Sequence, residues 1–333
     1  MKLITIIIPV LNEEEYIEEC IESILGFDYP KELLEIIFVD GISNDRTVDI
    51  IRKYQKDHDY IKILNNPKKI VPISMNIAIK NAKGDYICRL DAHAKYPINY
   101  ISELFEWSQK LKADNVGAVC LTGVKSESNL VKAIQFVMSD KFGVGASLFR
   151  IGIKDVRESD TVPFGFYRRD VFDRIGLYDE RLVRVQDLEL NKRLKKNGGR
   201  IFLVPNITCV YYPRERLLSF FKNRFQTGRW VVLAAYLTNS IKSVSIRHLV
   251  PLSFTLLLTL SLSLSLVNKK YFLLTLLILF LYSTILFVRT LFIKKRTILS
   301  IYIVLIYFIL HFSYGLGSLK AIFEIILKKL KGE

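Results

Sequence analysis

The 333-residue chain lacks the short motifs of several common enzyme classes. Its first apolar run is followed by PVLNEEE and not by G-x-G-x-x-G, so a nicotinamide or flavin site is not expected. The P-loop pattern G-x-x-x-x-G-K-[ST] is absent as well, which argues against a P-loop nucleotidase. The 4 cysteines lie far apart and never form C-x-x-C. They therefore predict small buried side chains in a reducing compartment, and not a zinc site or a disulfide framework.

Charged residues are missing from three long apolar segments near the C-terminus. No Asp, Glu, Lys or Arg occurs in Leu249–Val267, Tyr271–Val288 or Thr297–Leu319. About 20 apolar residues of helix cross the hydrocarbon core of a bilayer, and three such segments in succession leave no polar face for water. We therefore predict three transmembrane helices within residues 248–319.

The N-terminal apolar run has no small-residue cleavage site and ends in glutamates, which predicts a strand and not a signal peptide. The part before the first span is therefore expected to face the cytoplasm. Lysine and arginine agree, because Lys242 and Arg247 precede the first span and residues 294–296 follow the second. Three full crossings would place the basic tail, residues 320–333, outside. Either the tail tolerates that position, or the third segment does not cross completely.

The formal net charge is +15. Such a charge favours an acidic partner: a nucleic acid, an anionic lipid or a phosphorylated substrate. The basic residues are concentrated near the apolar segments, and no nucleic-acid-binding motif occurs. We therefore expect a membrane surface and a phosphorylated substrate as partners, and no nucleic acid.

Short runs rich in Ile, Val and Tyr alternate with helical periodicity in the N-terminal two thirds of the chain. The predicted strands are Leu3–Val10, Glu35–Val39, Ile61–Leu64, Tyr86–Leu90 and Val116–Thr122. Continuous apolar strands that alternate with helices predict an α/β fold with a mostly parallel sheet covered on both faces. Ligands of such sheets bind beyond the carboxyl ends of the strands.

Polar side chains follow three of these strands directly. They are Asn12 and Glu13 after the first strand, which has Pro9 near its end, Asp40 after the second, and Asp91 and His93 after the fourth. Asp91 and His93 are separated by one residue, so both can turn toward one ion just past the strand end. Carboxylate and imidazole are ligands of divalent cations, and the pair is therefore a candidate metal site.

Several stretches, in this order, resemble family 2 glycosyltransferases with the GT-A fold. They are ITIIIPVLNEEEYIEECIESIL, IIFVDGISNDRT, AKGDYICRLDAHA, QDLELNKRLKKNGG and QTGRW. Within that family, DAHAKY, SDTVPFGFYRR and YYPRERL resemble the membrane-anchored exopolysaccharide glycosyltransferases of the succinoglycan type. The resemblance implies a nucleotide-sugar donor, with uridine as the expected base, and a divalent cation, Mn²⁺ or Mg²⁺.

The resemblance also implies a role for each matching residue. Asp187 matches the catalytic base, Asp40 matches the aspartate that binds the nucleotide base, and Asp91 touches the donor or the metal. Pro9, Asn12 and Glu13 line the nucleotide pocket, and Asn76 is a further candidate near the nucleotide. The family usually has a second aspartate at the position of His93. The identity of the metal, and whether His93 binds it or is a hydrogen-bonding neighbour, therefore stay open.

The later motifs point to the diphosphate, the acceptor and the membrane. Gln226, Arg229 and Trp230 reproduce the Q-x-x-R-W motif, whose arginine is expected to hold the donor diphosphate. The same helix also fits an amphipathic segment at the membrane surface. Tyr211, Arg214 and Arg216 are candidates for an acceptor phosphate. The expected organisation is a cytosolic GT-A domain over 1–214, an interfacial helical segment over 215–247, the three spans and the tail.

The expected function is an inverting transfer of a sugar from a nucleoside diphosphate to a lipid-linked or oligosaccharide acceptor. Three alternatives stay open: a polyprenyl-phosphate sugar synthase, a processive synthase, and an inactive membrane-bound binding protein. The Q-x-x-R-W motif argues against the first, and three spans are few for the pore of the second. Retention of Asp40, Asp91 and Asp187 argues against the third.

Overall fold

The computed structural model describes residues 1–145, 147–213, 215–239, 246–295 and 297–331. They form two compact units, each described by itself below. The N-terminal unit comprises Met1–Leu121 and Leu148–Tyr212, and the C-terminal unit comprises Thr122–Ser147 and Pro213–Glu333. The insert at residues 122–147 therefore groups with the C-terminal helices, although it lies between strands of the N-terminal sheet in the sequence.

The N-terminal unit is a sheet with helices. Its strands are β1 Ile4–Val10, β2 Leu34–Asp40, β3 Ile61–Asn65, β4 Tyr86–Arg89, β5 Ala94–Lys95, β6 Asn115–Thr122, β7 Arg157–Glu158, β8 Phe166–Arg168 and β9 Ile201–Tyr211. Its helices are α1 Ile17–Leu25, α2 Thr47–Gln55, α3 Val71–Asn81, α4 Tyr100–Leu111, α7 Leu148–Ile151, α8 Asp170–Ile175 and α9 Gln186–Lys196, with a 3-10 turn at Lys31–Leu33.

The strands follow the order β3-β2-β1-β4-β8-β6-β9-β5, and β7 pairs with β9. The β3-β2-β1-β4 part is parallel, with Ile4 opposite Leu34 on one side and Tyr86 on the other, which confirms the predicted mostly parallel sheet. β8 then runs antiparallel to both β4 and β6. Successive residues of β1 belong to two different buried clusters: Ile6 lies in one cluster and Ile7 in the other. Successive side chains of a strand point to opposite faces, so the sheet is covered on both faces.

The C-terminal unit is helical. Its helices are α5 Asn129–Met138, α6 Lys141–Val144, α10 Leu217–Leu237, α11 Ile246–Val267, α12 Lys270–Lys294 and α13 Thr297–Leu330. Three of them, α11, α12 and α13, are long and apolar enough to cross a membrane, as the sequence predicts. α13 continues past the predicted end at residue 319 for a total of 34 residues, or about 51 Å at 1.5 Å per residue. That length exceeds the hydrocarbon core of about 30 Å.

Glycines bring α10, α11 and α13 into close contact. A Cβ atom added at Gly228 of α10 would lie 2.0 Å from the Tyr314 carbonyl oxygen of α13. One added at Gly317 of α13 would lie 2.0 Å from the Phe225 carbonyl oxygen of α10, and Gly315 approaches Thr255 of α11 in the same way. Small residues at helix crossings are the usual means of close packing in membranes. Gly228 of the QTGRW stretch therefore has a packing role.

We expect Gly228→Ala to destabilise the C-terminal unit. The added methyl group meets a backbone oxygen, which cannot rotate away, so α10 and α13 must separate. Overpacking of this kind costs about 1–3 kcal/mol, which lowers the unfolding midpoint by roughly 3–10 °C. Thermal unfolding in detergent measures this. Gly26→Ala is the control, because its Cβ meets nothing closer than 3.4 Å. Equal midpoints for the two variants would contradict this role of Gly228.

A polar cluster connects the insert to α12 and α13. Arg289 of α12 donates to Asp140 Oδ2 at 2.6 Å, and the Tyr307 hydroxyl of α13 donates to the other oxygen of Asp140. His311 Nε2 lies 2.9 Å from the Phe142 carbonyl oxygen of α6. A charged pair among apolar helices needs such partners. Asp140 therefore fixes α6 to the helices of the C-terminal unit.

Candidate active site

Arg89 joins two of the predicted acidic residues. It is the last residue of β4 and is only 9% exposed. Its Nη2 donates to Asp91 Oδ1 at 2.7 Å, and its Nη1 donates to Asp187 Oδ2. Asp91 and Asp187 are 96 positions apart in the sequence (187 − 91), and the structure brings them to one guanidinium group.

The start of α9 positions Asp187. Val185 takes a left-handed conformation with φ 58°, and the helix begins at Gln186, which is buried. Asp187 therefore lies in the first turn, where the helix dipole favours a negative charge. Glu189, two residues later, forms a 2.8 Å ion pair with Arg193 in the next turn. Because the carboxylate of Glu189 is paired within the helix, Asp187 is the better candidate for the base.

The surroundings of Asp187 raise its pKa. Burial contributes most, the Arg89 guanidinium opposes it, and the nearby charge of Asp91 adds to the increase. A base for a sugar hydroxyl benefits from a pKa above that of an ordinary aspartate, because proton transfer becomes more favourable.

The raised pKa of Asp187 predicts the acidic limb of the pH–rate profile. The base works only when deprotonated, so activity should fall as the pH decreases through the pKa of Asp187. We expect the limb of kcat/KM to lie above the ordinary aspartate value of about 3.9. Initial rates measured across the acidic range test this, with unfolding midpoints at each pH as the control. If the acidic limb has an apparent pKa at or below the ordinary aspartate value while the protein is still folded, the result would contradict this prediction.

His93 lies beside Glu13. Its Nδ1 is 3.3 Å from Glu13 Oε1, and its ring is 5.0 Å from the ring of Tyr211, edge to face. The hydroxyl of Tyr96 holds the Asp91 backbone by accepting from its N–H at 2.8 Å and donating to its carbonyl at 3.1 Å. The loop after β4 therefore lies against the loop after β1.

The residues at this edge fit a divalent cation only as part of its ligand set. Within the described residues, no group of three or more His, Cys, Asp or Glu side chains could hold a metal ion. Asp91 and His93 supply one carboxylate and one imidazole, and both also have protein partners. A cation here would need further ligands from a bound phosphate group, which divalent cations commonly take. The assignment of Asp91 and His93 as metal ligands stays a prediction.

Asp40 is buried at the end of β2, where its own loop holds it. The Ser43 N–H donates to the carboxylate at 3.1 Å, and the Ser43 hydroxyl donates to Oδ1 at 2.6 Å. Asn12 adopts a left-handed conformation with φ 54°, which asparagine tolerates. Its N–H donates to Ser43 Oγ at 3.0 Å, and its Oδ1 accepts from the Asn44 N–H at 2.8 Å. Asn12 and Asp40 therefore belong to one connected pair of loops.

The same two loops are joined a second time. The Glu13 N–H donates to Thr47 Oγ1 at 2.8 Å, and the Glu14 N–H donates to Asp45 Oδ2 at 3.1 Å. Asp45 Oδ1 also accepts from the N–H of Thr47, the first residue of α2, at 3.0 Å. β2 and β4 pair with opposite edges of β1, so one strand separates Asp40 from the strand that ends at Arg89.

Pro9 and Asn76 lie near this edge but differ in their contacts. Pro9 is part of β1, opposite Val39. Asn76 of α3 is buried, and its amide holds a loop: Nδ2 donates to the Tyr178 carbonyl at 2.9 Å, and Oδ1 accepts from the Tyr178 N–H at 3.0 Å. Nδ2 also donates to Glu180 at 3.0 Å. These bonds give Asn76 a structural role, and its contact with a nucleotide stays a prediction.

Gln226, Arg229 and Trp230 lie on α10 of the C-terminal unit. Arg229 forms an ion pair with Glu324 of α13 at 2.9 Å, and its guanidinium carbon is 5.7 Å from the Trp230 ring centroid. Within this unit Arg229 therefore connects two helices. Its predicted contact with the donor, and those of Gln226 and Trp230, stay predictions. Arg214, Lys242 and Arg296 of the sequence analysis lie outside the described residues.

Sequence reasoning assigned no role to Arg89. The signal was present, since Arg89 is the one charged residue of the four-residue strand β4, whose other members are Tyr, Ile and Cys. A charge in a buried strand must have a partner of opposite sign. The pattern predicts that such a partner exists, but it cannot say that there are two of them or which they are.

The fold and the row of acidic side chains at its edge define a glycosyltransferase with the GT-A architecture. Residues 5–176 match the glycosyl transferase family 2 model, and the chain belongs to this family. The chain is 33% identical over 234 residues to a dolichyl N-acetyl-alpha-D-glucosaminyl phosphate 3-beta-D-2,3-diacetamido-2,3-dideoxy-beta-D-glucuronosyltransferase of Methanococcus voltae. That match covers 68% of this chain and 72% of the relative.

A second relative is the succinoglycan biosynthesis protein ExoA of Rhizobium meliloti strain 1021, 34% identical over 226 residues, with 67% of each chain covered. Among solved structures, the mannosyltransferase PcManGT from Pyrobaculum calidifontis, in complex with GDP-Man and Mn²⁺, matches with a TM-score of 0.61 and 15% identity. That match covers 97% of this chain and 88% of the other. At this identity the likeness shows the fold, which confirms the GT-A prediction.

Proposed function

We propose that the protein is an inverting glycosyltransferase that moves a sugar from a nucleoside diphosphate, with UDP as the expected nucleotide, to a lipid-linked glycan. The observation that carries this proposal is the Arg89 bridge between Asp91 and Asp187. It holds a candidate base beside a candidate donor-binding carboxylate, next to the loops that contain Asn12, Glu13 and Asp40. One pocket could therefore hold both substrates of a direct displacement.

In the proposed reaction, Asp187 accepts the proton of the acceptor hydroxyl. The hydroxyl oxygen forms a bond to the anomeric carbon, and the bond from that carbon to the diphosphate oxygen breaks on the opposite face. The diphosphate leaves with the electron pair, and the configuration inverts. A single base suffices, because no covalent intermediate forms. Arg89 positions both carboxylates and offsets their charges.

The remaining roles follow the same edge of the sheet. Asp40, Asn12 and Pro9 bind the nucleotide, with Glu13 and Asn76 beside it. Asp91 and His93 would hold a divalent cation, which stabilises the charge of the leaving diphosphate when it is bound. Gln226, Arg229 and Trp230 of the Q-x-x-R-W motif would bind the donor diphosphate. The assignments of Gln226, Arg229 and Trp230 rest on the resemblance to the family alone. The other assignments rest on that resemblance and on the placement of the residue in the N-terminal unit.

The acceptor and the membrane belong to the same proposal. The name of the Methanococcus voltae relative states a dolichyl-phosphate-linked sugar, and that of the Rhizobium relative states succinoglycan synthesis. With three apolar helices, this supports a lipid-linked acceptor and a multi-pass membrane protein. The proposal that the catalytic unit faces the cytoplasm rests on the lysines and arginines that flank the spans in the sequence. The C-terminal half of α13 packs along α10, with Lys320 near Phe225 and Lys329 near Tyr236. We propose that this basic end of α13 lies on the same side of the membrane as α10.

The test uses the purified full chain with UDP-, GDP- and dTDP-sugars, each with Mn²⁺ or Mg²⁺ and without metal. Thermal protection identifies the donor that binds, since a ligand raises the unfolding midpoint. Nucleotide release in the presence of a lipid-linked oligosaccharide then measures transfer. Transfer to a bare polyprenyl phosphate would favour the polyprenyl-phosphate sugar synthase. Binding without release under any condition would favour the inactive binding protein, and no binding at all would refute the proposal.

A further inference from the structure

Arg150 carries a guanidinium group with one buried nitrogen that has no hydrogen-bond partner among the described residues. It belongs to α7 of the N-terminal unit. Its Nη1 is buried and has no hydrogen-bond partner in the described part of the chain. Among the described residues it also forms no ion pair within 4.0 Å, in contrast to Arg89, which has two carboxylates. Buried donors without acceptors are rare and costly, so each one needs an explanation.

Aromatic rings hold the side chain in place. The guanidinium carbon of Arg150 is 5.3 Å from the centroid of the Phe149 ring and 5.6 Å from that of Tyr211. Both distances are within the range of cation–π attraction. An aromatic ring in such a contact offers no conventional hydrogen-bond acceptor, so the contacts do not provide the acceptor that Nη1 lacks. The aromatic support fixes the group without satisfying its donors.

The location is that of the candidate active site. The Tyr211 ring, which lies against Arg150, is also 5.0 Å from the His93 ring. The charges of Arg150 and of Asp91 both act on the thiol of Cys120 in β6. Arg150 is therefore placed beside the residues that follow β4, and all of these residues belong to the N-terminal unit.

We propose that Arg150 binds the phosphate oxygens of a substrate at this site. A phosphoryl group that enters beside Tyr211 and His93 supplies the acceptors that Nη1 lacks, and the planar guanidinium can donate two parallel hydrogen bonds to it. Phosphate oxygens come from two sources here, the diphosphate of the nucleotide sugar and the phosphate of a lipid-linked acceptor. The inference rests on the proposed glycosyltransferase function, and it adds a residue that the family motifs above do not contain.

The test compares Arg150→Met with Arg157→Met in the full-length protein. Arg157 is an exposed residue of β7 and serves as the matched control. We expect Arg150→Met to leave the midpoint of thermal unfolding unchanged or higher without ligand, because it removes an unsatisfied buried donor. A merely structural arginine would give the opposite result. Arg150→Lys keeps the charge but loses the planar group, and it should bind phosphate more weakly than the wild type.

Binding is measured by titration with UDP and GDP in the presence of Mn²⁺, and separately with a polyprenyl phosphate in detergent micelles. A weakening of nucleotide binding by about tenfold or more in Arg150→Met, with the control unchanged, supports contact with the donor diphosphate. The same loss for the lipid alone supports contact with the acceptor. Unchanged binding of both ligands, or a large loss of unfolding midpoint in Arg150→Met, overturns the inference. If the wild type binds neither nucleotide, the proposed function fails instead.

Discussion

Asp187→Asn is expected to reduce sugar transfer by about 10²–10⁴-fold, the usual contribution of a general base. Asparagine keeps the size of the side chain and can still accept a hydrogen bond from Arg89, but it cannot take the proton of the acceptor hydroxyl. Donor binding should therefore change little. Initial rates with the donor identified by thermal protection, together with nucleotide titration, separate the two effects.

Glu189→Gln is the matched control for this substitution, since it removes a carboxylate from the same helix turn. Glu189 is paired with Arg193 and so should affect stability more than rate. We expect its transfer rate to stay within a fewfold of the wild type and its stability to fall by up to about 1 kcal/mol. Equal rates for Asp187→Asn and the wild type would exclude Asp187 as the base.

Arg89→Met is expected to have the largest effect on stability, because it leaves two carboxylates without their shared cation. Removal of one partner from a buried ion pair costs about 3–5 kcal/mol. The loss should shrink as the pH decreases. Without Arg89 the pKa of Asp187 should rise further, since the guanidinium now opposes the increase, and the neutral acid that forms at low pH no longer needs the cation. Unfolding by denaturant at pH 5 and pH 8 measures both expectations.

Arg168→Met provides the comparison for Arg89. Arg168 lies on β8, the strand next to β4, and its guanidinium binds Asp170 near the surface, with a side chain that is 42% exposed. Solvent screens this pair, so its loss should cost at most about 1 kcal/mol. Similar losses for the two arginine variants, independent of pH, would show that Arg89 has no special role at the site.

The strand pattern was strong enough to predict most of the sheet. The β1 strand was expected at Leu3–Val10 and lies at Ile4–Val10, and β2 was expected at Glu35–Val39 and lies at Leu34–Asp40. Such runs of β-branched and aromatic residues are long, apolar and clearly bounded. The later part of the sheet was not predicted in this detail. β9 was not among the predicted strands although it has 11 residues. β5, β7 and β8 have only two or three residues each. Pairing with neighbours, and not local preference, makes these segments strands.

In the candidate site too, some features could be predicted from the sequence and others could not. The position of Asp40, Asp91 and His93 after strands is a local property, and the sequence shows it directly. The contacts of these residues are not local. Asp40 is held by Ser43, His93 lies beside Glu13, and Arg229 pairs with Glu324 rather than standing free. Each of these depends on which segment becomes a neighbour after folding.

By itself, the sequence determined the alternation of strands and helices, the apolar segments and the edge of the sheet where acidic groups gather, because periodicity and strand ends are properties of short stretches. Only the tertiary structure decided that Arg89 reaches both Asp91 and Asp187, and that Arg150 lies within cation–π range of the rings of Phe149 and Tyr211. The contacts of Arg89 with Asp187 and of Arg150 with Tyr211 join residues far apart in the chain, and packing of the whole unit sets their distances.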